Sequence, residues 1–278
     1  MSKAIYVLGL GHSGSTVFGL MMASGGAAIA LGEVRTVIQM PVAEARKNKC
    51  SCGAFASDCL FWGPALDALS NVESRASLNQ RYEVVFDMFD RVFGQGASLI
   101  DISKNKQGLA AVVAASGKRT VEPILIAKDV RSYAVSALEN IRKKKRGGTL
   151  VRRLPEIIFH GWYRRNRDRE AAVRQLFDRA PLVITYELLC LNTREAARRI
   201  STQLGASFIR HDAPPEAGVS HIISGNRMIF DPSKVSQLSY DYRWFFRNEW
   251  VRPYSMMPWV RSYNRHLHAE ELGIYDSK

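Results

Sequence analysis

Residues 4–16 read AIYVLGLGHSGST. The first part, residues 4–8, is a short run of apolar, β-branched and aromatic side chains that stops at Gly9, which is the pattern of a buried strand. Residues 14–24 (GSTVFGLMMAS) then read as a helix, closed by Gly25 and Gly26. Between the two lies a glycine-rich turn. A turn that leaves a strand and opens a helix presents free backbone N–H groups and the positive end of the helix dipole, so this place suits an anion. Glycines there let a phosphate approach the backbone closely.

Working outward, further strands are predicted at residues 27–31, 98–102, 121–127 and 181–185. Helices are predicted at 64–70, 78–94, 105–116, 131–145, 155–179 and 192–204, with residues 41–63 irregular. Strand and helix alternate, which predicts an α/β fold: three layers, with a central, mostly parallel sheet flanked by helices. Neither repeats nor a low-complexity linker interrupt it, so residues 1–278 read as a single domain. The stretch at about 236–278 is aromatic and basic (YDYRWFFRNEW, PWVRSYNRH) and is predicted to be a helical C-terminal tail.

The loop at residues 9–16 admits three ligand readings. As a dinucleotide fingerprint, Gly9, Gly11 and Gly14 satisfy G-x-G-x-x-G, with Glu33 near the ribose-binding position of an NAD(P)-dependent oxidoreductase. As a Walker A loop, Gly9, Gly14 and Thr16 are in place, but Ser15 stands where the lysine is required, which argues against an ordinary ATPase or GTPase. Thirdly, His12-Ser13-Gly14-Ser15-Thr16 resembles the 5′-phosphosulfate loop of sulfotransferases, a basic residue followed by Ser-Gly-Ser/Thr-Thr. A glycine-rich turn without a ligand is the bland alternative.

Other segments resemble the same family, in the same order along the chain. Residues 101–105 (DISKN) resemble the Asp-Ser-Ser-Lys element of bacterial-type sulfotransferases. Residues 128–136 (KDVRSYAVS) resemble their 3′-phosphate element, with Lys128 and Ser136 keeping its spacing. A cation at a strand end and a hydroxyl two turns into the next helix can both reach one phosphate. Residues 185–189 (TYELL) resemble a Tyr-Glu-Asp-Leu segment, and 221–228 (HIISGNRM) a late Gly-Asn element. CSCG and CLFW, within residues 50–62, also recur in such proteins. Two positions depart from the pattern: His12 stands for Lys or Arg, and Lys128 for Arg, which removes a bidentate fork.

The resemblance implies a P-loop-NTPase-like sulfotransferase fold and the donor 3′-phosphoadenosine-5′-phosphosulfate (PAPS), leaving adenosine 3′,5′-bisphosphate as product. It implies that Gly11 to Thr16 (Gly11, His12, Ser13, Gly14, Ser15 and Thr16), Lys128, Ser136, Tyr186, Asn226 and Arg227 contact the nucleotide. Glu33 is the expected base, His12 the group beside the bridging oxygen, and Lys104 a ligand of the sulfuryl oxygens. A non-catalytic sulfotransferase-like binding protein is the remaining alternative, with the His12 and Lys128 departures marking lost activity.

The formal net charge of +13, with 46% hydrophobic and 23% charged residues, fits a soluble globular protein that attracts polyanions. No base-reading or stacking element is recognisable, so nucleic acid is not an expected partner. The expected acceptor is a small molecule, lipid or glycan. Lys143 to Arg146 (KKKR) read as a solvated helix end, with a patch for an anionic acceptor or membrane surface as the alternative. No stretch of about 18 apolar residues occurs. The expected location is cytoplasmic, with peripheral membrane contact through the tail as the alternative. Cys50, Cys52 and Cys59 cluster and Cys190 stands apart, unlike a secreted disulfide framework. The three could bind zinc only with a fourth ligand, and none is obvious, so a disulfide or plain packing is expected, and no metal is assigned. His160, His211, His266 and His268 lack ligand spacing.

Overall fold

The computed structural model describes residues 2–73, 75–143, 154–209, 220–225 and 239–269. Strand β1 (Lys3–Gly9) leads through the glycine loop into α1 (Ser15–Ala23), β2 (Ala28–Gly32), α2 (Val34–Gln39) and α3 (Val42–Ala45). Helices α4 (Trp62–Ser70) and α5 (Leu78–Phe93) precede β3 (Ser98–Lys104), α6 (Lys106–Ala115), β4 (Thr120–Ala127), α7 (Val130–Lys143) and α8 (Pro155–Phe177). Next come β5 (Leu182–Thr185), α9 (Tyr186–Leu191) and α10 (Thr193–Leu204). A 3-10 turn (Tyr242–Phe246), α11 (Val251–Met256) and α12 (Pro258–His268) close the described chain.

The five strands form one parallel sheet in the order β2-β3-β1-β4-β5. In its register Ile5 lies opposite Ile100, and Ile29 opposite Leu99. Strands β1, β3 and β4 are buried along nearly their whole length, as expected of apolar runs covered on both faces. The order separates two of the sequence readings. A dinucleotide-binding sheet runs 3-2-1-4-5-6, with β2 beside β1. Here β3 intervenes, so β2 lies two strands from β1, about 10 Å away. The chain leaves β1 toward β3 and β2 and leaves β4 toward β5. The carboxyl ends of β1 and β4 are therefore the topological switch point, the position at which open parallel sheets generally bind ligands.

Two compact units are built from interleaved stretches. The first draws on Met1–Leu8, Ser15–Ile124 and Arg194–Leu238. In it α1 is apolar nearly all round and buried accordingly, with Val17, Phe18, Leu20 and Met22 inside and contacts to β2 and β3. Helix α5 starts with a reciprocal capping box between Ser77 and Gln80. Asp101 in β3 is buried and accepts from Tyr82 Oη (2.7 Å), Ser103 N (2.8 Å) and Ser103 Oγ.

The second unit draws on Gly9–Gly14, Leu125–Thr193 and Ser239–Lys278. Its core joins Leu10, Tyr133, Leu138, Phe159, Trp162 and Tyr263. A buried polar network fixes the start of α7. Asp129 accepts from Arg131 N and both sides of its guanidinium, at 2.8–2.9 Å, and from Asn264 at 2.9 Å. Asp129 N donates to Glu187, whose carboxylate lies 3.3 Å from His268 Nε2. Burial would raise the Asp129 carboxyl, but Arg131 outweighs it and holds the group below the usual range. His268, without ligand spacing in the sequence, thus has a structural partner.

Candidate functional site

In the second unit the glycine loop follows β1. A Cβ on Gly9 would sit 2.6 Å from Ile126 Cγ2 and 2.8 Å from its carbonyl oxygen, so only glycine lets the loop start this close to β4. Gly14 has φ +81°, and a Cβ there would meet Tyr186 Cδ2 at 2.7 Å. His12 has φ 72°, in the left-handed region that a side chain rarely adopts; such geometry concentrates at ligand-binding sites. Ser13 N donates to Leu10 O at 3.3 Å, which tightens the turn. Among the described residues Ser13 Oγ has no hydrogen-bond partner, although it is buried. A buried hydroxyl without a partner is costly, so this atom suits an oxyanion ligand. Gly11 is exposed, and nothing lies within 4 Å of a Cβ built there.

The sequence pair Lys128 and Ser136 is brought together. Lys128 follows the end of β4, with its carbonyl held by Trp162 Nε1 at 3.0 Å, and Ser136 lies two turns into α7. Lys128 Nζ donates to Ser136 Oγ at 3.2 Å and lies 4.6 Å from the centre of the Tyr186 ring. Tyr186 therefore stands between Gly14 and Lys128, and its hydroxyl donates to Ser239 O at 2.8 Å. Burial pushes the Tyr186 phenol well up, which keeps it a donor.

One carboxylate oxygen occupies the focus of this pair. Asp241 Oδ2 accepts from Lys128 Nζ at 2.7 Å and from Ser136 Oγ at 3.1 Å. Arg243 holds the same carboxylate bidentately, Nε to Oδ1 at 2.7 Å and Nη2 to Oδ2 at 2.8 Å, and also reaches Ser136 Oγ at 3.2 Å. Burial alone would raise the Asp241 carboxyl; Arg243 and Lys128 together hold it far below its ordinary range. Asp241 and Arg243 were not singled out from the sequence. Their signal there is slight: one acid inside a basic, aromatic tail.

In the first unit, Glu33 and Lys104 are partnered. Glu33 follows β2, just after Gly32 at φ +79°. Its N–H donates to Ser224 O at 3.3 Å, and a Cβ on Gly32 would collide with Ile222 Cγ2 at 2.6 Å. Lys104 ends β3 at φ 72° and puts Nζ 2.5 Å from Glu33 Oε1, while Thr36 Oγ1 donates to Glu33 Oε2 at 3.3 Å. Both side chains keep about a fifth of their surface exposed, 19% and 22%. The backbone N–H of Arg35 donates to Ser103 Oγ at 2.9 Å. A carboxylate next to an ammonium at adjoining strand ends can accept a proton at one atom while the ammonium turns to a neighbouring anion.

Ser15 and Thr16 open α1 and are buried, and Thr16 Oγ1 lies 3.8 Å from a Cβ built on Gly225. Asn226, Arg227, His211 and residues 144–146 of the basic run lie outside the described residues. All four cysteines are thiols, so the disulfide expected as one account of the cluster is not formed. Sequence reading had left Cys50, Cys52 and Cys59 without a further partner; the fold places His221 beside them.

No family model matches the chain, and no curated protein sequence matches it. Solved structures do. The sulfotransferase domain from the curacin biosynthetic pathway aligns with TM-score 0.59 at 17% identity, over 93% of this chain and 98% of that one. The sulfotransferase domain from the Synechococcus PCC 7002 olefin synthase aligns with TM-score 0.50 at 14% identity, over 93% and 96%. The fold is thus that of bacterial-type sulfotransferases: a P-loop-like parallel sheet flanked by helices, with helices at the C-terminal end.

Proposed function

We propose that the protein transfers a sulfuryl group from PAPS to a hydroxyl or amine on a small-molecule, lipid or glycan acceptor and releases adenosine 3′,5′-bisphosphate. The observation that carries the reading is the convergence of Lys128 Nζ and Ser136 Oγ on one oxyanion, at 2.7 and 3.1 Å. That is the donor pair a nucleotide 3′-phosphate needs, already assembled and holding a carboxylate oxygen. The partnerless Ser13 Oγ in the glycine loop is a second support.

On this reading the amides of Ser13 to Thr16 hold the 5′-phosphate, with the Ser13, Ser15 and Thr16 hydroxyls as further donors. His12 stabilises the charge that develops on the bridging oxygen. Glu33 removes the acceptor proton as the acceptor oxygen or nitrogen bonds to sulfur, the bond from sulfur to the phosphate oxygen breaks, and the bisphosphate leaves. Lys104 exchanges its contact with Glu33 for the sulfuryl oxygens. Tyr186 walls the loop, and Asn226 and Arg227 complete the nucleotide contacts. No step requires a metal ion.

Tyr242, Phe245 and Phe246 are exposed in the turn that follows Asp241 and supply an apolar surface for the acceptor or for a lipid headgroup region. Among the described residues no helix is long and apolar enough to cross a membrane. A cytoplasmic enzyme with peripheral membrane contact is the location we propose.

Thermal stability measured with adenosine 3′,5′-bisphosphate, NAD or ATP tests the reading. A ligand at about a hundred times its Kd adds roughly 2.7 kcal/mol. Stabilisation by the bisphosphate alone supports the proposal, and labelled transfer from PAPS to an acceptor panel completes it. Stabilisation by NAD alone would replace it with dinucleotide chemistry. Bisphosphate binding without transfer would make the chain a binding protein.

A further inference from the structure

The cysteine cluster lies outside the chemistry above and has its own geometry. Cys50, Cys52, Cys59 and His221 each offer one ligand atom, and these atoms all lie within 4.8 Å of one another. The sulfurs of Cys50 and Cys59 are 3.5 Å apart. His221 Nδ1 lies 3.2 Å from Cys59 Sγ and 3.9 Å from Cys50 Sγ. A tetrahedral zinc with bonds of about 2.3 Å to sulfur and about 2.05 Å to nitrogen has edges of about 3.5–3.8 Å. The observed separations scatter around those edges. A disulfide needs about 2.05 Å and would use only two of the four groups.

Backbone hydrogen bonds help to hold these atoms together. Cys50 and Cys52 sit on a tight turn in which Cys50 N donates to Ala54 O (2.8 Å) and Gly53, at φ 95°, donates to Cys50 O (2.9 Å). Ser51 N donates to Ile222 O, and Ile222 N donates to Ser51 Oγ, both at 2.9 Å, which staples the turn to the segment carrying His221. His221 N donates to Ala30 O at 2.7 Å, and Trp62 Nε1 donates to the His221 carbonyl at 2.5 Å. Trp62 N, at the start of α4, donates to Cys59 Sγ at 3.4 Å, a contact that favours a thiolate. The rings of Phe61 and Phe93 lie 6.5 and 5.5 Å from the imidazole and pack against it; Cys50, Cys59 and His221 are buried and Cys52 is half-buried. Three soft sulfurs and one imidazole in a largely buried, four-point arrangement are the donor set of a four-coordinate structural zinc site, with no position left for substrate.

We propose that Cys50, Cys52, Cys59 and His221 bind one zinc ion that clamps residues 220–224 onto the end of β2. Binding forms three Zn–S bonds and one Zn–N bond and releases to solvent the protons of whichever thiols are still protonated; nothing is oxidised or reduced. The clamp bears on the site already described. Ser224 O accepts from Glu33 N, and Ile222 backs Gly32, so the segment that the metal fixes is the one that sets the Glu33 backbone. The ion is a positioning element, and its presence does not depend on which nucleotide the chain binds.

The full chain, purified under reducing conditions from cells grown with zinc, is analysed for metal and for thiol reactivity. One zinc per chain is expected, with Cys190 reacting with a thiol reagent and Cys50, Cys52 and Cys59 reacting only after a strong chelator removes the ion. The stripped chain titrated with Co²⁺ should show the intense visible bands and the sulfur-to-cobalt charge transfer of a tetrahedral thiolate site. His221→Ala should weaken zinc binding by at least the roughly 10- to 100-fold that loss of an outer-shell partner costs. Because that variant can fail by misfolding, the cobalt spectrum of the unaltered chain is the deciding measurement. Substoichiometric zinc with all thiols reactive, a cobalt spectrum without charge transfer, or a Cys50–Cys59 disulfide found under reducing conditions would each overturn the proposal.

Discussion

Lys128 Nζ and Asp241 Oδ2 are 2.7 Å apart, so the cation proposed for a nucleotide phosphate already holds a carboxylate of its own chain. A phosphate can take that place only as Asp241 withdraws. Asp241→Asn removes the competing charge and leaves Lys128, only 5% exposed, without its counter-ion. The variant without ligand should lose about 3 kcal/mol of stability, the low end of what breaking a buried pair costs, because the amide oxygen still accepts. It should also bind adenosine 3′,5′-bisphosphate about tenfold tighter, since nothing charged must be expelled. Calorimetric titration of both proteins checks this. Equal or weaker binding by the variant would place the phosphate elsewhere.

Glu33 carries the proton transfer in the proposed reaction, and the amide of Glu33→Gln cannot accept that proton. The substitution should lower kcat/KM by about 10²–10⁴ while the Kd for the bisphosphate stays within about twofold. Lys104→Met should also lower kcat, because it loses a contact to the sulfuryl oxygens, yet it frees Glu33 from its ion pair. Retention of more than about a tenth of the activity in Glu33→Gln would remove Glu33 from the role of base.

All five strands were legible in the sequence, because each is an apolar run bounded by loop signals. The six-residue helices Val34–Gln39 and Tyr186–Leu191, unlike Val251–Met256 in the predicted helical tail, were not, since they are too short to show a period. Strand order was not read from the sequence; composition and periodicity say nothing about whether β2 or β3 adjoins β1, and the structure supplies it. The Lys128–Ser136 spacing was legible through its resemblance to the family's 3′-phosphate element, and the fold brings the two side chains into contact. Asp241 was not readable, because its partners Lys128 and Ser136 lie 113 and 105 positions away and are set by tertiary packing. His221 escaped for the same reason: 162 residues separate it from Cys59, far beyond any local ligand spacing. Lys104 and Glu33 were chosen for different tasks, and their mutual contact needed the parallel pairing of β2 with β3.

Asp101 gives the protein a pH signature. Burial pushes its carboxyl from an ordinary 3.8 up to about 6, against the opposing hydrogen bonds from Ser103 and Tyr82. The folded state therefore holds this proton more tightly than the unfolded chain does. The resulting stabilisation is complete below about pH 4 and is lost as pH rises through about 6, a difference of up to about 3 kcal/mol. Asp101→Asn has no such proton. The stability gap between the parent protein and the variant, measured by denaturant unfolding, should be larger at pH 4 than at pH 7 by an amount of that order. A gap that does not change with pH would mean that Asp101 is not held protonated in this way.

Gly14 and Tyr186 offer a test of the loop geometry itself. A methyl group at position 14 meets two separate penalties: a backbone at φ +81° and a ring carbon of Tyr186 at 2.7 Å. The first costs an L-residue about 1–2 kcal/mol, and the second adds an overpacking cost of about 1–3 kcal/mol. Gly14→Ala should therefore destabilise the protein by about 3 kcal/mol. Tyr186→Ala removes the ring and with it the collision, but it leaves the dihedral strain. In the double variant the two losses should fall short of their sum by at least about 1 kcal/mol, well outside the roughly 0.5 kcal/mol within which independent sites add. Bisphosphate binding should not return with the stability, because the strained dihedral still moves the amides that would hold the 5′-phosphate. Simple additivity would show that the ring does not rest against Gly14, and recovery of binding in the double variant would show that the loop tolerates the changed backbone.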